Sequence, residues 1–173
     1  MSAGLRVFIF IIFAVVISAV IRTYYFQSFR ITAGAMAPTL VEGDRVLVNK
    51  SIYKHADPQR WDVVAYVGPD NLSKIHLHRI VGLPGETLEI REGGVLINGQ
   101  IVAMPLGFKY SNQGEFVKAG GQVRIPENNY FLLGDHTATS KDSRYVGFLD
   151  RKMIVGKVER IYYPFGRAGL IKS

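Results

Sequence analysis

Four stretches of this 173-residue chain hold more chemically capable side chains than core packing requires. They are Ala35-Met36-Ala37-Pro38-Thr39-Leu40, Gly43-Asp44-Arg45-Val46-Leu47-Val48, His78-Arg79-Ile80-Val81-Gly82-Leu83-Pro84-Gly85-Glu86, and Gly134-Asp135-His136 followed by Ser140-Lys141-Asp142-Ser143-Arg144-Tyr145-Val146-Gly147. An imidazole such as His78 has an unperturbed pKa of about 6.5 and can serve as a base without a burial penalty. Lys74 and Lys141 are the other candidate bases. Lys74 precedes His78 by four residues, which is roughly 13 Å along an extended strand and too far to replace it. His76 and His78 share one strand face, and His-x-His can hold a metal. His136 lies elsewhere, and spacing supplies no third ligand. Asp142 and Arg144 could form a surface ion pair in a solvated turn, worth little. The chain has no Cys, which excludes disulfide scaffolds, cysteine-ligated zinc and thiol catalysis.

The elements that must position these residues fall into two parts. Val7 to Ile21 is free of charge and, Ser18 apart, apolar. Arg6 and Arg22 flank it, and Thr23-Tyr24-Tyr25-Phe26 extends it with residues suited to a membrane interface. No small-x-small cleavage site precedes Arg22, so the segment reads as a retained anchor rather than a removed leader. The expected division is a tail over 1–6, a transmembrane anchor over 7–26 and a β-rich domain over 27–173. Arg6 and the amino terminus oppose Arg22 and Arg30, so the charges do not decide orientation.

Beyond Phe29 the pattern is short apolar stretches between turn residues, including 45–49, 62–67, 75–81, 87–91, 95–102, 130–133 and 154–163. Asn98-Gly99 marks a tight hairpin. The fold class is therefore mainly β, with antiparallel sheets and one N-terminal transmembrane helix. Residues 103–122 are Gly-rich and weakly periodic and read as an insertion or long loop. The net charge of +7 divides into +3 within the first 30 residues and a diffuse +4 beyond. No Lys/Arg run exceeds two residues, so nucleic acid is not an expected partner.

Taken in order, the four stretches resemble type I signal peptidases, the membrane-anchored serine peptidases of family S26 that remove signal peptides. The resemblance runs from the anchor to Tyr162-Tyr163-Pro164-Phe165. It implies antiparallel sheets of the signal peptidase I catalytic type, no cofactor and no metal. It implies a bacterial plasma-membrane location, single-pass, with the catalytic domain on the extracytoplasmic face. Its implied partners are membrane lipid and the extended signal-peptide region of preproteins, bound as an added strand in a groove.

The resemblance also assigns positions. The nucleophile would stand at Ala35 and the general base at His78. Ser140 would orient the base, as would Asp142 in members that use His. Ala35 would lend its N–H to an oxyanion hole, with Ala33, Met36 and Pro38 beside it on the substrate side. Arg79, Asp135, Ser143 and Arg144 would brace the site, Arg79 with Asp135 and Asp142 with Arg144.

Two departures stand out. Most members carry Ser where this chain has Ala35, and Lys where it has His78. A methyl group has no proton to lose and no lone pair, so acyl transfer by this route is impossible as written. Ala33 also lacks the hydroxyl that some members add to the oxyanion hole. Thr32 and Thr39 are the nearest hydroxyls, but neither occupies the motif position. Two origins fit Ala35: a natural pseudopeptidase that kept its groove, or a Ser→Ala replacement in a Ser-His enzyme. A noncatalytic accessory protein or chaperone for exported or pilus proteins is the alternative function.

Overall fold

The computed structural model describes residues 3–68, 71–91, 94–105, 114–117 and 121–172. The chain opens with helix α1, Ala3–Tyr24, of 22 residues. At about 1.5 Å per residue such a helix reaches roughly 33 Å, enough to cross a ~30 Å hydrocarbon layer. The apolar residues from Val7 to Ile21 are exposed, and none of the Ala3–Ile21 stretch is buried against protein. The charge-free run is thus the centre of a longer helix. The helix gives out where the Tyr25 N–H donates to the Ile21 carbonyl and the Lys50 N–H donates to the Tyr25 carbonyl. Phe26, assigned to the anchor from its aromatic character, instead opens strand β1, Phe26–Arg30.

The strands that follow are β2 (Arg45–Asn49), β3 (Val63–Gly68), β4 (Asn71–Gly82), β5 (Thr87–Arg91), β6 (Gly94–Ile97) and β7 (Gln100–Val102). Then come β8 (Gln122–Arg124), β9 (Asn129–Leu133), the one-turn helix α2 (Ser143–Val146), β10 (Leu149–Asp150), β11 (Ile154–Tyr163) and β12 (Gly169–Leu170). The larger sheet runs β1-β2-β11-β3-β4-β9-β10, with β12 against β11; the smaller runs β7-β6-β5-β8. Every ladder is antiparallel. Asn98 and Gly99 both have positive φ, as a two-residue hairpin between β6 and β7 requires.

Alternation explains the burial. In β2 only Val46 and Val48 are fully buried, joining Ile31, Met36, Leu40, Val63, Ala65, Val158 and Ile161 in one core. Strand β3 is buried on both faces, because Val64 and Tyr66 pack into a second core with Ile80, Tyr130, Leu132 and Leu149. A third core joins the two sheets through Val81, Leu88, Ile90, Phe131 and Leu133.

The segment expected as a loop over 103–122 is more structured than its composition suggests. Val117 is buried in the third core and Gln122 begins β8. Within that expectation, 106–113 and 118–120 lie outside the described residues.

Strand β4 matters most for the site. Its residues 75–79 pair with β3 along one side. Strand β9 pairs with only Arg79, Ile80 and Gly82 on the other side. The stretch before Arg79 therefore presents an edge that no described strand covers.

Candidate functional site

Two adjoining clefts run along that edge. One, of about 230 Å³, lies between residues 29–36 and Lys74–His78. The other, of about 400 Å³, is bounded by Tyr66, Gly68, Thr139, Lys141 and Val146. Ala33, Ala35, Lys74, His76 and His78 line both.

His78 reaches this wall through strand register. Val64 lies opposite His78 and Tyr66 opposite His76, so all four side chains share one sheet face. The His78 side chain is only 3% exposed. Its Nε2 is 3.2 Å from Ser140 Oγ and its Nδ1 is 2.7 Å from the Tyr66 hydroxyl. Tyr66 also stacks on His76, with ring centroids 5.6 Å apart. Burial pushes the His78 pKa down to about 4, against a smaller upward pull from Asp142. The imidazole is therefore neutral near pH 7, but it does carry the burial penalty that the residue type alone did not suggest, and it is a weaker base than a free imidazole.

Ala35 is half-buried and lines both clefts together with His76 and His78. The Ala35 carbonyl accepts from the His136 N–H at 3.0 Å. Among the described residues, its own N–H has no protein acceptor. The loop around it is closed by Ala37 N–H to the Gly34 carbonyl at 3.0 Å and Leu40 N–H to the Met36 carbonyl at 2.8 Å. Met36 is buried and lines the smaller cleft, and Ala33 lines both. Pro38 is not among the residues lining either cleft; it is exposed, and its carbonyl accepts from Arg167 at 3.2 Å.

Two buried ion pairs hold the loops. Arg79 grips Asp135 with two parallel bonds of 2.9 and 2.8 Å, and Thr39 donates to the same carboxylate at 2.5 Å. This engages the Thr39 hydroxyl away from the nucleophile position. Asp142 caps α2, accepting the Arg144 N–H at 3.1 Å, and receives the Arg144 guanidinium at 2.8 and 2.9 Å. The Gly134 N–H supplies one more bond to Asp142 at 3.0 Å. Asp142 and Arg144 are 0% and 1% exposed, which rules out the solvated surface pair. Ser143 Oγ accepts from the Leu132 N–H at 3.0 Å.

Asp142 is therefore not the direct His78 partner that the resemblance suggested. Arg144, two residues on, takes both of its oxygens, while the two ring nitrogens of His78 face Ser140 and Tyr66. Tyr66 was missed altogether at the level of sequence. Its only signal was its place in the continuous apolar run Val63–Val67, which reads as core.

Gly134 keeps the parts together. A Cβ there would stand 2.1 Å from Ser140 Oγ and 2.6 Å from the Ala35 carbonyl. Ser140 itself is 4% exposed and lines neither cleft, although its neighbours Thr139 and Lys141 do. Its hydroxyl is placed to hold His78 rather than to attack a ligand.

The fold and site define a class: an apolar helix followed by a β domain, with a neutral imidazole set in an edge-lined groove. The family model for signal peptidase, peptidase S26, matches residues 4–163. Signal peptidase I of Bacillus amyloliquefaciens is 35% identical over 164 residues, covering 90% of this chain and 83% of that protein. The probable signal peptidase I-2 of Synechocystis is 32% identical over 168 residues, covering 91% of this chain and 72% of that protein. A solved signal peptidase I from Enterococcus faecalis has a TM-score of 0.49 at 30% identity, covering 60% of this chain and 97% of that one. The chain belongs to the signal peptidase family, peptidase S26.

Proposed function

We propose that the groove holds the extended signal-peptide region of exported preproteins, and that Ala35 leaves the chain unable to hydrolyse it as written. One observation carries this reading: Ala35, which has no hydroxyl, lines the same clefts as a buried, neutral His78 whose ring is still held by Ser140 and Tyr66. The uncovered stretch of β4 has backbone groups for an added strand, and the small side chains of Ala33 and Ala35 leave room beside it. The open Ala35 N–H would point to the carbonyl of such a strand. Helix α1 would anchor the chain in the bacterial plasma membrane, with the β domain on the extracytoplasmic face where signal peptides emerge.

The roles follow from this reading. His78 is the base position, Ser140 and Tyr66 hold its ring, and Asp142 acts one step back by fixing Arg144 and Gly134. Arg79, Asp135, Ser143 and Arg144 are supports. Intact supports without a nucleophile also favour a noncatalytic accessory role, in which the same groove binds exported or pilus proteins without cutting them.

The test is Ala35→Ser in the full chain, assayed with a preprotein peptide between about pH 6 and 9. Cleavage that vanishes on adding His78→Ala supports a Ser-His enzyme silenced at one position. Binding without cleavage supports the accessory role. Absence of both binding and cleavage would refute the groove reading.

A further inference from the structure

The groove is electrically one-sided. Among the described residues, those lining its two clefts include Arg30, Lys74 and Lys141, and no Asp or Glu. All three cations are exposed, and among the described residues none of them has a carboxylate partner. The nearby carboxylates cannot offset them. Asp135 and Asp142 are 5% and 0% exposed and each is committed to a buried arginine. Each ion pair is close to neutral as a unit, so among the described residues the cations on the walls set the field in the groove. Lys74 shares the β4 face of His76 and His78 by its even spacing, and it lines both clefts.

We infer that the groove selects peptides carrying an acidic side chain in the segment that lies over Lys74 and Lys141. The inference rests on the peptide-groove reading above and adds to it a ligand class. An Asp or Glu on an added strand meets one or both lysines across a cleft that excludes part of the water. A basic side chain at the same place meets like charge and is rejected. Alternate residues of a strand face opposite ways, so the preference recurs at every second position of the ligand.

The probe is an alanine-rich peptide of about ten residues, blocked at both ends, through which a single Glu is moved one position at a time. Binding to the full chain in non-ionic detergent is read by fluorescence anisotropy. We expect Glu at alternate positions near the centre to tighten binding roughly three- to ten-fold over the neutral parent, with the gain shrinking as salt rises. In the Lys74→Glu, Lys141→Glu double variant the Glu gain disappears, and a Lys-bearing peptide becomes the tighter ligand. That reversal also shows that the variant is folded. A neutral parent that binds while Glu brings no gain anywhere overturns the inference and leaves the groove reading standing. A Glu gain that survives the double variant overturns it too. So does a gain seen only when the C-terminal carboxylate is unblocked, which assigns the site to a chain end. No binding by any peptide removes both the inference and the reading on which it rests.

Discussion

Acidification should destabilise this protein through His78, by an amount the structure sets. The ring is 3% exposed and its pKa is pushed down to about 4. In an unfolded chain the same group titrates at about 6.5. Between these values the unfolded state binds a proton that the folded state refuses, so stability falls as pH falls. The contribution of His78 is fully present above pH ~6.5 and is progressively lost on the way down to ~4. At about 1.4 kcal/mol per pKa unit, the loss between pH 7 and 4 is roughly 3 kcal/mol, a large share of a typical domain's stability. The assay is urea unfolding of the full chain in non-ionic detergent, comparing wild type with His78→Gln across this range. The chain's single Trp is Trp61, which packs against the inter-sheet core and reports the transition by fluorescence. The wild type should lose about 3 kcal/mol more than His78→Gln, which cannot titrate. Parallel NMR titration of the His78 ring should place its midpoint near 4. A midpoint close to 6.5, or the same pH slope in both proteins, would refute burial as the dominant influence on this imidazole.

Three further outcomes follow from the geometry. Gly134→Ala drives a methyl to 2.1 Å from Ser140 Oγ and 2.6 Å from the Ala35 carbonyl; it should cost about 1–3 kcal/mol in thermal or urea unfolding and shift the His78 ring resonances. Arg79→Met leaves Asp135 buried without its partner and should cost about 3–5 kcal/mol, whereas adding Asp135→Leu should restore much of that loss in the same unfolding assay. Tyr66→Phe removes the hydroxyl from His78 Nδ1 and should cost about 1–3 kcal/mol. Ring nitrogen shifts should then show a changed tautomer balance, and an unchanged His78 spectrum would argue against the Tyr66 contact.

Some of this protein was legible from its residues alone because the governing physics is local. A run of 15 charge-free residues at Val7–Ile21 can satisfy its backbone in lipid only by coiling into a helix. Asn98-Gly99 favours the positive φ values of a tight hairpin wherever it falls. Alternation in 45–49 assigns an inner face before any partner strand is known. The motif order was distinctive enough to suggest the pairing of Arg79 with Asp135, 56 residues later, and residue 35 was legible as an alanine with no hydroxyl.

Long-range assembly decided the rest. Phe26-Gln27-Ser28-Phe29-Arg30 has no clean period and becomes a strand only by pairing with β2. Val117 is core only because the two sheets close over it. Tyr66 meets His78 through the β3–β4 register, and a slip of one residue would turn it to the opposite face. The competition between Arg144 and His78 for Asp142 was settled by the cap of a one-turn helix, which aims the carboxylate at Arg144. The cations of the groove come from β1, β4 and the loop before α2, far apart in the chain, so their shared field arises only where the tertiary fold brings those elements together.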